Sequence, residues 1–227
     1  MKVSQITRYA MFCIFTCLLS KAIQAAEPCE PVVGRLVSAD GTVELQRTST
    51  VAWVQADLNA VLCRGDTVRA GERSRATVAL INEAILRIDQ NTAIRLVDIT
   101  PEEDESSFLN LIQGAIQSFS RKPRGFEVST PYLNGSIEGT EFVFQARDDE
   151  SLLAVIEGTV VASNDQGSIS VSDGESASAK SGRAPIRDTT VKPQDAAQWS
   201  LYYPPVLAVL NGRMENLPAD VPASLRE

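Results

Sequence analysis

The chain has 227 residues, of which 44% are hydrophobic and 6% aromatic, and its formal net charge is −8. This length is enough for one domain with a hydrophobic core, or for one domain with an appendage. The sequence contains no histidine, so the most frequent general base and zinc ligand is missing, and the acidic balance argues against binding nucleic acid through its phosphates.

The N-terminal segment has the features of a secretory signal peptide. Lys2 and Arg8 precede an apolar run over residues 9–19, and small residues lead to an expected cleavage site near Ala25. A run of about a dozen residues is well short of the ~20 that cross a bilayer. We therefore expect residues 1–25 to be removed and the mature protein to be periplasmic, without a stable membrane span. An uncleaved anchor is the alternative.

Export also decides how the cysteines are interpreted. Cys13 and Cys17 would leave with the signal peptide, and Cys29 and Cys63 would remain in an oxidising compartment. We predict that these two form a structural disulfide, because reactive pairs are more often closely spaced. Removing the segment also takes the basic residues from 21 to 18 against 29 acidic ones, so the net charge becomes about −11.

The mature chain predicts strand after strand. Short apolar–polar alternations are separated by turn residues, which is typical of an all-β domain. Asp40-Gly41, between the first two alternations, is a hairpin signal because glycine tolerates positive φ. The predicted strands cover residues 32–37, 42–46, 50–54, 75–89 on both sides of Asn82-Glu83, 92–99, 109–119, 125–130, 141–146, 151–163 and 168–179.

Two segments share a pattern of apolar residues around a glycine. LNLIQGAIQSFS and LAVIEGTVVASN carry Gly114 and Gly158 at the same place. We expect each glycine to act as a hinge between two short strands. Such repetition predicts a short-stranded β-roll or solenoid-like fold, and a β-sandwich with corner bulges is the alternative.

Two charged segments interrupt the predicted strands. The acidic run at residues 102–105 lacks the glycine of a calcium loop, so we interpret it as a solvated loop. Arg121, Lys122 and Arg124 predict a small basic turn before Gly125.

The stretch TPYLNGSIEGTEFVFQ, residues 130–145, combines alternation with paired glycines. Pro131 is expected to end a strand because it cannot donate to a ladder. Asn134-Gly135 is expected to turn the chain, and Thr140 to begin a new strand whose two following phenylalanines share one face. We interpret the stretch as a core crossover that fixes the register of the domain.

Five pieces follow one another in a recognisable order: DTVRAGERSRATVALINEAILRIDQNTAIRL, FLNLIQGAIQSF, GFEVSTPYLNGSIEGTEFVF, LAVIEGTVVASN and ISVSDGESASA. Together they cover about residues 66–179 and resemble the FecR domain of bacterial envelope proteins. The centre of that family is an F-x-V-x-T-P element followed by G-T-x-F. It is carried here by Phe126, Val128, Thr130, Pro131, Gly139, Thr140 and Phe142, which we interpret as scaffold residues.

The resemblance implies a role in signalling. The best-known relatives sense iron uptake by contacting an outer-membrane siderophore transporter, and they control a sigma factor through a cytoplasmic segment. This chain has a predicted signal peptide where those proteins have that segment, which argues against direct control of a sigma factor. The resemblance thus implies a stand-alone periplasmic FecR-like protein that acts through contacts with envelope proteins.

The C-terminal part changes in composition. Residues 26–180 are predicted to form the β-domain, 181–195 a polar, proline-containing linker, and 196–227 an irregular or partly helical tail that the linker leaves mobile. The tail resembles the linker before tetratricopeptide repeats in longer relatives. Its aromatic residues either pack on an edge of the β-domain or contact a partner, because Trp and Tyr dominate binding hot spots. The residues concerned are Trp199, Tyr202 and Tyr203.

Two functions remain open. The first is a non-enzymatic protein-interaction or envelope signalling module, with iron sensing implied by the resemblance alone. The second is a carbohydrate- or cell-wall-binding module, in which Trp53 and Trp199 would stack on sugars. No nucleophile motif or pair of catalytic carboxylates stands out, so we expect no enzymatic activity, no cofactor, no metal and no nucleic-acid partner.

Overall fold

A computed structural model describes residues 29–102 and 105–202. The predicted signal peptide and Tyr203 lie outside these residues. Within them, no helix has the length and apolar character needed to cross a membrane.

Strands dominate the described chain, as the alternation predicts. The elements are β1 Val32–Asp40, β2 Val43–Gln46, β3 Val54–Gln55, β4 Val61–Cys63, β5 Thr67–Ala70, β6 Arg75–Leu80, β7 Ile85–Ile88, β8 Thr92–Asp98, β9 Ser107–Ser129, β10 Asn134–Ala146, β11 Glu150–Asn164, β12 Gly167–Ser172, β13 Ser176–Lys180, β14 Ile186–Arg187, helix α1 Pro193–Ala196 and a 3-10 helix Gln198–Tyr202.

The described strands form one antiparallel network that has two walls. The first wall has the order β3-β2-β5-β8 and ends on the first part of β9. The second wall has the order β4-β1-β6-β7, followed by the middle of β9, then β10 and β11. Strands β12 and β13 pair with successive parts of β11, and β14 pairs with β13.

The core lies between the two walls. In the first wall Leu45, Val68 and Ile94 are cross-strand neighbours, and in the second wall Leu36 and Val78 are neighbours in the same way. All of them are buried and belong to one hydrophobic cluster, so the walls pack against each other. Fully burying a side chain of this kind contributes roughly 1.5–3 kcal/mol.

Strand β9 curls so strongly that its two ends meet. A Cβ atom built on Gly125 would lie 3.3 Å from Cα of Ser106. In a straight strand these two residues would be roughly 60 Å apart, at ~3.3 Å per residue. The architecture is therefore a β-roll, although three of its strands are much longer than the short strands that the sequence predicts.

The bend in β9 is made at Gly114, whose φ is +89°. At this position β9 leaves β8 and begins to pair with β7 and β10. The N–H of Ala115 donates to Oγ1 of the fully buried Thr92 at 2.9 Å. Gly158, with φ +109°, stands where the partner of β11 changes from β13 to β12. Both predicted hinges are thus bends inside continuous strands.

Several predicted turns are wrong. Asp40-Gly41 does not form a hairpin, because β1 pairs with β4 and β6 while β2 pairs with β3 and β5. Gly41, with φ +74°, instead carries the chain from one wall to the other. The strand predicted at residues 50–54 is reduced to β3, which contains two residues.

The stretch 130–145 is half of a hairpin rather than a crossover. The turn lies at residues 130–133, so Asn134-Gly135 already belongs to β10, and β10 runs through Thr140 without a break. The predicted basic turn is also part of a strand. Phe119 of β9 pairs with Glu141 of β10, and Arg124 pairs with Gly139. The segment of β9 between these pairs is longer than the segment of β10 opposite it, so β9 forms a large bulge.

A disulfide closes the N-terminal part of the roll. The structure joins Cys29 to Cys63, with a Cα–Cα distance of 5.3 Å and a separation of 34 positions. Cys63 is the last residue of β4, an edge strand that pairs with β1.

Replacing both Cys29 and Cys63 with serine should lower the free energy of unfolding by about 3–4 kcal/mol, because the open chain gains loop entropy when it unfolds. Urea denaturation of the oxidised protein with and without reductant measures the same quantity. Reductant should have no further effect on the double variant, and an equal midpoint for both proteins would contradict the prediction.

Gly114→Ala should destabilise the protein more than Gly174→Ala. Both glycines have positive φ, +89° and +74°, so each substitution costs about 1–2 kcal/mol in backbone strain. A Cβ atom on Gly114 would also lie 2.5 Å from Cα of Thr92, whereas one on Gly174 has nothing within 4 Å. We expect overpacking to add about 1–3 kcal/mol at Gly114, as measured by thermal or urea denaturation. Equal losses would show that the corner is not tightly packed.

Candidate interaction site

The residues of the family's central motif lie in the core. Phe126, Val128 and Phe142 are at most 3% exposed. The ring of Phe142 packs 6.0 Å from that of Phe126 and 5.8 Å, edge-on, from that of Phe144. These side chains hold β9 against β10 and are closed to a partner.

The turn that follows β9 is held by Thr130. Its hydroxyl bonds to the carbonyl of Leu133, and the N–H of Leu133 donates back to Oγ1 of Thr130 at 3.1 Å. Pro131 stands inside this turn, where no ladder N–H is required. Gly139 pairs with Gly158, the residue at which β11 bends.

The C-terminal segment packs on the face of the second wall rather than on an edge. Ala196 and Ala197 are buried against Val143 of β10 and Ala154 of β11. Trp199 is half-buried on the 3-10 helix. Within the predicted linker, β14 pairs with β13. The aromatic contact predicted for Trp199, Tyr202 and Tyr203 stays a prediction.

The outer face of the first wall carries a different set of side chains. Because Val68 and Ile94 point into the core, their neighbours Thr67, Arg69 and Arg95 point outward. Thr67 pairs with Arg95, and Arg69 pairs with Ala93. Arg69 and Arg95 are therefore diagonal neighbours on one face, about 7–8 Å apart at their Cα atoms.

These side chains border a groove with a volume of about 500 Å³. Small residues such as Thr67 and Ala93 form its floor, because each lies between longer side chains on the two neighbouring strands. We call this site the basic groove. Its main lining side chains are those of Arg47, Arg69, Arg95, Trp53, Ile112 and Gln113.

Arg69 is held in place on two sides. Its guanidinium carbon lies 4.0 Å from the ring centroid of Trp53, and its Nε donates to Oε2 of Glu44 at 2.7 Å. The hydrogen bond from Arg69 holds the pKa of Glu44 below its ordinary value, against the desolvation that would raise it. Trp53 is half-buried, and one face of its ring is covered by Arg69.

Arg47 connects the basic groove to the disulfide. Its Nη1 lies 2.6 Å from Oδ2 of the buried Asp66 and 3.0 Å from Sγ of Cys63. Asp66 also accepts the N–H of Cys63 at 2.8 Å. These contacts hold the Arg47 side chain in place at the end of the groove nearest the disulfide.

Arg95 has no carboxylate partner among the residues that the structure describes. Its Nε donates to the carbonyl of Gly65 at 3.2 Å, and the side chain is exposed. The guanidinium therefore has further N–H donors that can bond to a ligand.

Apolar side chains lie exposed on the same pair of strands. Val97 is 42% exposed, Phe108 41% and Ile112 48%, and each stands at or beside an irregularity in the pairing of β8 with β9. Of the three, Ile112 lines the basic groove with Arg95 and Trp53. Exposed apolar residues close to arginine and tryptophan are typical of binding surfaces.

The basic groove was not predicted from the sequence. Alternation in TVRA and TAIRLVD places Arg69 and Arg95 on the polar face of their strands, which is a usable signal. Their proximity depends on the pairing of β5 with β8, and alternation does not specify pairing. Among the described residues, no group of three or more His, Cys, Asp or Glu could hold a metal ion.

Comparisons with known proteins agree with the resemblance seen in the sequence. A family model described as FecR protein matches residues 66–161, which run from the end of the disulfide-closed segment into β11. No curated protein matches the chain.

Two crystal structures of a candidate anti-sigma factor from Parabacteroides distasonis ATCC 8503, at 2.50 Å and 1.65 Å resolution, are similar to the chain. Each is 14% identical, has a TM-score of 0.48, and is matched over 59% of this chain and 62% of its own length. The chain thus spans about three fifths of the solved structures that it matches.

The buried residues of the central motif lie on β9 and β10, and both strands fall within the residues that the family model matches. Over residues 66–161 the chain is similar to the FecR protein family.

Proposed function

We propose that the protein is a non-enzymatic regulatory module that binds another protein in the bacterial envelope. The observation that carries this proposal is the outer face of the first wall. There Ile112 is exposed and lines the basic groove with Arg95, and Val97 and Phe108 are exposed farther along the same two strands, β8 and β9. Cores of protein interfaces combine apolar side chains with arginine in this way. The similarity to the FecR family supports a signalling role, and candidate anti-sigma factors are among the proteins similar in structure.

We place this activity in the periplasm. The signal-peptide features of residues 1–25 support export, and a disulfide between Cys29 and Cys63 is stable in an oxidising compartment. A link to iron uptake rests on the family resemblance alone.

The sugar-binding alternative has less support. A sugar ring stacks on the open face of an aromatic side chain, and Arg69 already covers one face of Trp53. The test below includes cell-wall material so that the two functions are separated.

The double substitution Phe108→Ser and Ile112→Ser should weaken binding to the envelope partner. Each side chain is about half exposed, so each substitution should cost about 1 kcal/mol of folding free energy, while loss of two apolar contacts should weaken binding at least about ten-fold. The measurement is cross-linking and affinity capture of the tagged mature chain from periplasm, followed by titration of the captured protein.

A matched control is Val161→Ser with Ile186→Ser, which removes two exposed apolar side chains, 46% and 64% exposed, from β11 and β14. A chain ending at Tyr202 tests the tail separately. Capture that depends only on the tail would contradict the placement of the site. Retention on peptidoglycan or polysaccharide, with no protein partner, would overturn the proposed function.

A further inference from the structure

The basic groove has a charge opposite to that of the whole protein. The chain has a formal net charge of −8, yet three arginines line the groove and no aspartate or glutamate is among its described lining residues. A site that concentrates guanidinium groups on an acidic protein attracts an anion by charge complementarity.

The three arginine side chains have different contacts. Arg47 is ion-paired with the buried Asp66, and Arg69 is ion-paired with Glu44, its cross-strand neighbour on the same outer face. Arg95 therefore supplies the excess positive charge of the groove. The side chains of Arg47 and Arg69 are nevertheless 37% and 41% exposed, so they face solvent from fixed positions. Arg95 has a single bond to a backbone carbonyl, and its planar fork of donors matches the geometry of a carboxylate.

The dimensions of the groove fit a short extended chain. The groove crosses β2, β5, β8 and β9, and strands are about 4.8 Å apart, so its length is roughly 14 Å. This length corresponds to about four residues of extended peptide at ~3.3 Å each. Carboxylates about 7 Å apart, on alternate residues of such a peptide, match the spacing of Arg69 and Arg95.

The walls of the groove also favour a peptide over a sugar. Side-chain amides and hydroxyls, such as those of Gln46, Thr50 and Gln113, line it and can bond to peptide N–H and C=O groups. Trp53 stacks with Arg69, so the ring is used to position a cation and one of its faces is closed to a sugar.

We propose that the basic groove binds an acidic, extended segment of the partner protein through Arg95 and Arg69. This assignment rests on the proposed function, since it specifies the chemistry of the partner at the face described above. The exposed apolar side chains would contact the partner beside the acidic segment.

The test is a titration of the full mature chain with fluorescein-labelled octaglutamate, followed by anisotropy. We expect saturable binding that weakens as salt rises from about 50 mM to 500 mM, because the charges are screened. Arg95→Gln should weaken binding at least about ten-fold. Octaglutamine should not bind.

Arg35→Gln is the matched control. Arg35 is also exposed and also donates to one backbone carbonyl, that of Asn59 at 3.0 Å, but it lies on β1, outside the groove. Its substitution should change affinity by less than about two-fold, as expected for a distant surface charge. Equal losses in the two variants, or equal binding of octaglutamine, would overturn the proposal.

An acidic polysaccharide is tested in the same assay with oligogalacturonate as competitor. If oligogalacturonate binds and octaglutamate does not, the groove recognises sugar acids and the proposal is wrong. If the partner protein is captured through Phe108 and Ile112 but Arg95→Gln has no effect, the proposal fails while the proposed function stands. If octaglutamate binds through Arg95 and no partner protein is captured, the proposed function fails instead.

Discussion

The corner between Gly114 and Thr92 is the constraint on which the roll depends. Only a residue without a side chain can hold φ at +89° while its backbone lies against Cα of Thr92. The hydroxyl of Thr92 then accepts a hydrogen bond from the N–H of Ala115 at 2.9 Å. This buried N–H therefore has a hydrogen-bond partner at the position where β9 changes the strand with which it pairs. Without this corner β9 would run straight, and the two walls could not enclose a common core.

The same strand connects the basic groove with the surface that the C-terminal segment covers. Gln113 of β9 lines the basic groove. Four residues later, Gln117 pairs with Val143, which is covered by the C-terminal helix through Ala196 and Ala197. Groove and tail therefore lie on consecutive parts of one bent strand, one on each wall, and are held in fixed relation by the corner.

Much of the strand content could be predicted because alternation reports burial locally. The hairpin around Asn82-Glu83 and the buried faces of β6, β7 and β8 follow the alternating pattern. Turn chemistry was less informative. Asp40-Gly41 does turn the chain, but it crosses between walls, and Asn134-Gly135 lies in a strand because Gly135 packs under Phe144.

The basic groove shows a further limit of sequence reasoning. Arg69 and Arg95 are 26 positions apart in the printed sequence, and only the register of β5 against β8 brings them together. Nor does composition indicate that Trp53 stacks with an arginine rather than standing open. Motif order was the more powerful signal, since it indicated the FecR resemblance over residues 66–179, and the family model matches residues 66–161.

The disulfide has a mechanical consequence. It joins Cys29 directly to Cys63, so the 33 residues between them form a closed covalent loop that contains β1 to β3 and most of β4. Tension applied to the chain before Cys29 passes through the sulfur–sulfur bond to Cys63 and on to Asp66. Strand β1 is thereby removed from the load path, and its pairing with β6 is spared when the protein is pulled from its N-terminal side.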